Sequence, residues 1–218
     1  MTIAAESRAP GLRERKKQQT RELIAETARR LFVERGFDGV TVAEVARAAD
    51  VSEKTIFNYF PTKEDLVYWR LESFEEDLVE TIRERKAGES FLAAFGRFVL
   101  ERRGLLAEED PDAVERLAAL TRMISESSAL LARERQIFER YTTSLAALFA
   151  EETGAAADDV EPWVAANTLM GVHRALIDYT RGRIVAGARN PGLDREVRAR
   201  GRRALDALER GFGHYGVR

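Results

Sequence analysis

Two histidines, His173 and His214, and no cysteine are what this 218-residue chain offers for nucleophilic or metal chemistry. The absence of cysteine excludes disulfides, thiolate metal sites and cysteine nucleophiles. Neither a zinc site nor a Ser-His-Asp arrangement can be assembled from local motifs around two separated histidines. Gly211-Phe212-Gly213-His214-Tyr215-Gly216 matches the dinucleotide fingerprint letter for letter. It has no strand before it and no helix after it to receive a pyrophosphate, so it reads as chance or a tail. Adjacent acids such as Glu75-Glu76 and Glu151-Glu152 read as solvated surface. The expectation is a protein that is not an enzyme and carries no metal and no cofactor.

Binding chemistry is better provided for. Residues 41–63, TVAEVARAADVSEKTIFNYFPTK, hold three helix starts in succession. Thr41 and Glu44 form a capping box, with Val40 and Val45 as its hydrophobic staple, so a helix starts at Val42. Ala49-Asp50-Val51 interrupts it. Ser52 then caps a second helix over 53–59, with Glu53 in its favourable first turn, and Pro61 ends it. Thr62 and Asp65 make another box, and Leu66 opens the apolar face of a third helix. Val45, Ala46, Val51 and Ile56 are the expected contacts between the first two. Helix, short turn, helix is a helix-turn-helix, whose second helix enters the major groove of DNA; an αα-corner that binds nothing is the structural alternative.

The elements that must position this motif are helical throughout. A first helix spans about 15–35, with Leu23, Ile24, Ala28, Leu31 and Phe32 on one face and Gly36 as a left-handed cap. A long helix runs over 63–86, with Val67, Leu71, Phe74, Leu78 and Ile82 along one side. Five more follow over about 90–103, 111–126, 128–153, 160–186 and 193–212, with caps at Asp110, Ser127 or Ser128, Asp159 and Asn190. No alternating run competes for a strand, so the fold class is all-α with about nine helices. The domain division expected is a disordered arm over 1–12, a three-helix DNA-binding head over 13–62 and a helical domain over 63–218. Residues 1–63 hold 12 Lys and Arg against 9 Asp and Glu, a net of +3 in a chain whose total is −2, so the remainder is acidic. A basic head on an acidic body suits a protein that meets phosphate at one end. The run Arg13-Glu14-Arg15-Lys16-Lys17 could reach a DNA backbone or minor groove. No signal peptide or membrane span is legible, which points to a cytoplasmic protein.

The helix over 160–186 carries Val164, Leu169, Met170, Val172, Leu176, Ile177, Tyr179 and Ile184 around most of its circumference, more than one buried stripe requires. It is expected to meet an internal core and a second subunit. The last helix offers Val197, Ala204, Leu205, Leu208 and Phe212, so two such helices from each of two chains would form a four-helix dimer interface.

In GFDGVTVAEVARAADVSEKTIFNYFPTKEDL the Gly-Phe corner, the Thr-led second helix, the Val-Ser step and the aromatic-aromatic-Pro-x-Lys ending resemble the TetR family of bacterial transcriptional regulators. The resemblance implies a homodimer whose paired third helices read successive major grooves of an operator, while the C-terminal domain binds a small molecule. On that reading Lys54, Thr55, Asn58 and Tyr59 face the groove, with Ile56 and Phe60 turned inward. Lys54 would reach a guanine edge or phosphate, Thr55 a thymine methyl, and Asn58 a base edge. Thr41, Ser52, Tyr59 and Lys63 complete the DNA-contacting set, Lys63 adding its charge where a phosphate would sit. Asp50 replaces the usual turn glycine, and Phe57 replaces a phosphate-contacting tyrosine. Candidates for a ligand cavity are Met123, Phe138, Tyr141, Trp163, Asn167, Met170, His173 and Arg174, with Asn167, Met170 and Arg174 on one face. Core packing is the competing reading of each. The function expected is a repressor released by a hydrophobic or amphipathic effector. The alternative is a helical homodimer acting through a protein partner, with a vestigial head.

Overall fold

The computed structural model describes residues 11–69, 71–101, 113–188 and 192–212. These contain ten helices: α1 (Leu12–Arg35), α2 (Val42–Ala48), α3 (Glu53–Tyr59), α4 (Asp65–Tyr68), α5 (Leu71–Arg83), α6 (Phe91–Leu100), α7 (Ala113–Glu126), α8 (Ser128–Thr153), α9 (Glu161–Val185) and α10 (Gly192–Phe212). The fold is all-α, as expected. One helix more than expected arises because the stretch 63–86 is divided: α4 ends at Tyr68 and α5 begins at Leu71. The expected caps Asp110 and Asn190, the residues 1–10 and His214 lie outside the described residues.

The chain forms two compact units, Met1–Trp69 and Arg70–Arg218. The first extends seven residues past the expected boundary of 62, because α4 packs on α1 and buries Leu66 and Tyr68 there. Its core is Ile24, Ala28 and Phe32 of α1, with Phe37, Val40, Val45, Ile56 and Phe60. Leu23 departs from the expected apolar face: it is 55% exposed, since the helical step of about 100° turns it away from Ile24.

The corner between α1 and α2 is closed by Glu44. Its carboxylate accepts from the Thr41 amide at 2.8 Å, the Thr41 hydroxyl at 2.9 Å and the Arg35 guanidinium at 2.6 Å. The Thr41 backbone hydrogen bond and the Arg35 partner hold the Glu44 carboxyl down at about 2. Gly36 does have a positive φ of 77°, but its ψ of 155° is extended and not the left-handed cap expected. Gly39 is the more constrained glycine, since a Cβ there would stand 2.5 Å from the Arg35 carbonyl oxygen.

The second unit packs α8 on α9 and α7, α10 on α9 and α6, and α5 on α6 and α8. At its centre the Phe74 ring stacks on His173 with centroids 4.9 Å apart and on Tyr141 at 5.6 Å, and meets Phe98 edge-on at 5.1 Å. Phe138 closes the group, 6.1 Å from Tyr141 and 5.8 Å from His173. The Tyr141 hydroxyl donates to the Leu71 carbonyl, so the polar end of this ring is satisfied. A buried guanidinium, Arg85, ties the end of α5 to α8 by donating to Glu152 at 2.6 Å and to the Ile82 carbonyl at 2.9 Å. Where α6 and α10 cross, each accommodates a leucine of the other: Leu205 sits against Gly96 and Leu100 against Gly201.

Burial among these rings pushes the His173 imidazole down to about 4. A histidine held neutral in the fold contributes stability that is complete above its unfolded value near 6.5 and is lost as pH falls towards 4. Between pH 7 and 4.5 the wild type should therefore lose about 1–2 kcal/mol more than a His173→Gln variant in urea titrations, allowing for the part of the ring that solvent reaches. Gly39→Ala should lower the melting temperature more than Gly201→Ala. The first meets a backbone oxygen, and the second only side-chain methyls of Leu100 and Leu176, which can turn aside more cheaply than backbone.

Candidate nucleic-acid interface

The turn that orients α3 is built by backbone hydrogen bonds at the end of α2. The Val51 amide donates to the Ala46 carbonyl at 3.0 Å and the Asp50 amide to Arg47 at 3.4 Å, with Asp50 at φ 54°. That is a Schellman closure with aspartate in the left-handed position that glycine usually takes. Ser52 then caps α3, its hydroxyl oxygen accepting from the Thr55 amide at 3.0 Å and lying 2.8 Å from the Thr55 hydroxyl.

Ile56 alone in α3 is buried, and it sets the direction of every other side chain. Lys54 and Asn58 fall on the opposite side and are exposed, with Thr55 and Tyr59 half-buried on one flank and Phe57, 48% exposed, on the other. Phe57 belongs to this outward surface as an apolar member. Its exposed ring was legible only as a missing hydroxyl. Ser52 and Thr41 are exposed but already engaged as caps.

Lys63 is half-buried. Its ammonium is turned into the head, donating to the Phe37 carbonyl at 2.6 Å and lying 4.1 Å from the Phe37 ring centroid and 5.6 Å from that of Phe32. Burial lowers its pKa from the usual lysine value, with Asp38, Glu64 and Glu44 opposing. The short loop over 36–40 brings the Phe37 carbonyl, which also accepts from the Val40 amide at 3.4 Å, to where the Thr62 and Asp65 capping box starts the next helix. The residue serves the fold before it serves a phosphate.

The ligand candidates are divided. Phe138, Tyr141 and His173 meet in the aromatic centre with Phe74 and Phe98, two rings not among the candidates, although Phe74 lies on an apolar face that the sequence showed. Met123 and Met170 are buried. Trp163 is 46% exposed and Asn167 is exposed, its amide donating to the Trp163 carbonyl at 2.8 Å, so neither lines the interior. The expected common face of Asn167, Met170 and Arg174 is split, because the core face of α9 centres on Ala166 and Leu169 and only Met170 reaches its edge. Arg174 is exposed, its guanidinium 5.2 Å from the Phe138 ring centroid.

The outer side of α9 and the facing side of α10 form an open groove of about 420 Å³, lined by Gly171, Val172, Ala175, Tyr179, Ala204 and Leu208 among others. Among the described residues no cluster of His, Asp or Glu could hold a metal ion, and no helix is long and apolar enough to cross a membrane.

Residues 24–68 match the family model described as bacterial regulatory proteins, tetR family. The chain is 28% identical over 152 residues to the HTH-type transcriptional regulator TcmR of Streptomyces glaucescens, covering 69% of this chain and 67% of that protein. It is 45% identical over 53 residues to the HTH-type transcriptional regulator LuxR of Vibrio harveyi, covering 24% of each. Among solved structures it resembles the transcriptional regulator FadR from Bacillus subtilis in complex with stearoyl-CoA, with a TM-score of 0.53, 20% identity and coverage of 86% of this chain and 96% of that one. NalD, the secondary repressor of the MexAB-OprM multidrug efflux pump in Pseudomonas aeruginosa, gives 0.52 at 20% identity, covering 90% and 97%. The motif over residues 41–63 and these relatives agree: residues 24–68 form a tetR-type DNA-binding head, and the chain is similar to TetR-family transcriptional regulators, which are not enzymes.

Proposed function

We propose that this regulator is a cytoplasmic homodimeric repressor that leaves its operator when an apolar or amphipathic small molecule enters the C-terminal unit. The observation that carries the DNA-reading part is α3 itself: one buried side chain, Ile56, and an outer face of Lys54, Asn58, Thr55 and Tyr59 held by two caps. These are donors and acceptors suited to base edges and phosphates, and Phe57 adds an apolar surface suited to a thymine methyl. Thr41 and Ser52, at the two helix starts, add hydroxyls at the same surface, and Lys63 supports it mainly through the fold.

Dimerisation through α9 and α10 is supported by the groove between them. Small residues, Gly171, Ala175 and Ala204, would let a second copy approach closely. The effector's chemistry is inferred from the interior of the second unit, where Phe74, Phe138 and Tyr141 offer flat apolar contacts and His173 a neutral imidazole as hydrogen-bond partner, with Met123 and Met170 nearby in the core. FadR, which shares the fold, holds stearoyl-CoA, an amphipathic ligand. An effector releases DNA if its affinity for the two dimer arrangements differs by a few kcal/mol.

A duplex selected from a random pool by the full-length protein should bind at low salt and weaken about 10³-fold or more between 50 and 200 mM, as expected for several phosphate contacts in each protomer. Lys54→Ala and Asn58→Ala should each weaken it by about 1–3 kcal/mol and relax base preference at one position per half-site. Failure to recover any duplex would leave the protein-partner reading in its place. Extracts from the expressing cell, profiled by mass spectrometry for co-purifying molecules, should yield a compound that releases the duplex from wild type but less readily from a His173→Gln variant, which removes the imidazole from the aromatic centre.

A further inference from the structure

Phe74 fills a flat seat in the second unit. Its ring lies nearly parallel to those of His173 and Tyr141, with interplanar angles of 17° and 25°, and meets that of Phe98 at 68°. Phe98, Phe138 and Tyr141 are buried, whereas Phe74 and His173 are half-buried, so solvent reaches the cluster on the side where those two rings stack. The backbone that carries Phe74 is anchored to α8 on both sides of that residue. The Tyr141 hydroxyl donates to the Leu71 carbonyl, and the Glu75 carboxylate accepts from Arg140 and from Ser144, each at 2.6 Å. The ring can therefore leave by turning about its own side-chain bonds while α5 stays in place.

A cation without an acid stands at the edge of the same cluster. Arg174 and Arg181 are two turns apart on one face of α9. Arg181 meets the Glu134 carboxylate of α8 at 2.5 and 2.9 Å, but one turn on from Glu134 that helix offers the ring of Phe138, and the Arg174 guanidinium carbon lies 5.2 Å from its centroid. Asp178 is one turn along α9 at ion-pair spacing, yet it does not hold Arg174. Among the described residues Arg174 forms no ion pair and no hydrogen bond, so its planar fork of N–H donors is left to solvent beside Phe138, whose ring is 5.8 Å from that of His173.

We propose that this seat binds a planar aromatic acid, whose ring takes the place of Phe74 against His173 and Tyr141 and whose carboxylate is gripped by Arg174. The inference rests on the effector reading above and narrows it from an apolar or amphipathic molecule to one chemical class. A ring that replaces Phe74 keeps the parallel contacts with both neighbours and the edge contact with Phe98, which a flexible alkyl chain cannot reproduce. The Phe138 ring stands between the seat and the guanidinium, so a fused two-ring acid suits the span better than a single ring. A carboxylate pairs with a guanidinium through two parallel hydrogen bonds, and the rest on Phe138 leaves those donors unspent. Exposing Phe74 and burying the ligand ring nearly offset each other, so the charge contact decides between ligands of equal shape. A cationic ring would meet Arg174 as a like charge.

The full-length protein contains two histidines, His173 and His214, so histidine ring signals in NMR spectra report on the seat directly once a His173→Gln variant has assigned them. The probes are 2-naphthoate, its neutral amide 2-naphthamide, and decanoate, an acid without a ring. 2-Naphthoate should shift the His173 signals, leave those of His214 in place, and bind about tenfold or more tighter than either of the other probes. Arg174→Gln, at an exposed position, should melt like wild type and bring 2-naphthoate down to the affinity of the amide without changing the amide's own. Phe74→Leu should tighten both naphthalene probes, because a smaller side chain is easier to displace. The seat is overturned if decanoate or the amide equals 2-naphthoate at His173, if Arg174→Gln leaves the affinity for 2-naphthoate unchanged, or if Phe74→Leu weakens both naphthalene probes. If none of the three probes moves the His173 signals while a co-purifying compound still releases the duplex, the seat falls and the effector reading stands. If no compound releases the duplex either, both fall together.

Discussion

The head is tied together at the loop after α1. Lys63 reaches back 26 residues to the Phe37 carbonyl and rests on the rings of Phe37 and Phe32, joining that loop to the start of α4, while Arg35 donates to the Gly39 carbonyl at 3.0 Å within the loop. The Phe37 carbonyl accepts from the Val40 amide at 3.4 Å and from the Lys63 ammonium as a second donor, and the rings favour a cation there over a neutral donor. Glu44 does the complementary work at the other side of the same loop, joining Arg35 to Thr41, the N-cap of α2. With both ends of the loop closed, α2 and α3 have one available direction of approach. The outward face of α3 is what is left over once Ile56 and Phe60 are buried.

This has a consequence for how the binding surface is made. The groups that position α3 are caps and inward contacts, Ser52, Thr41 and Lys63, and the groups that remain for a ligand are Lys54, Asn58 and the flanking Thr55, Phe57 and Tyr59. A residue that satisfies a helix end has already used part of its hydrogen-bonding capacity, so its contribution to DNA is secondary to its contribution to shape. α1 shows the same division along its length, apolar where it is seated in the head and cationic where it leaves.

The second unit is organised around ring stacking and close helix crossings. Phe74, Tyr141, Phe98, Phe138 and His173 bring α5, α6, α8 and α9 to a common centre, and the exchange of leucines against Gly96 and Gly201 sets how closely α6 and α10 cross. Because α9 spends its core face on Ala165, Ala166, Leu169 and Met170, the small residues on its other side are left facing outward.

Local chemistry was sufficient for the elements themselves. Thr41 and Glu44, Ser52, Thr62 and Asp65, and Ser127 each satisfy backbone groups within three residues of their own position, so α2, α3 and α8 begin where those residues stand. Asp50 likewise takes its left-handed turn with no help from distant parts of the chain. What depends on residues far apart could not be read this way. The inward commitment of Lys63, the gathering of Phe74 and Phe98 around His173, and the outward placement of Trp163 and Asn167 follow from which helix faces happen to meet. Periodicity assigns a side chain to a face of its own helix, but only packing decides what lies opposite that face, and therefore whether a polar or aromatic group becomes core, clamp or surface.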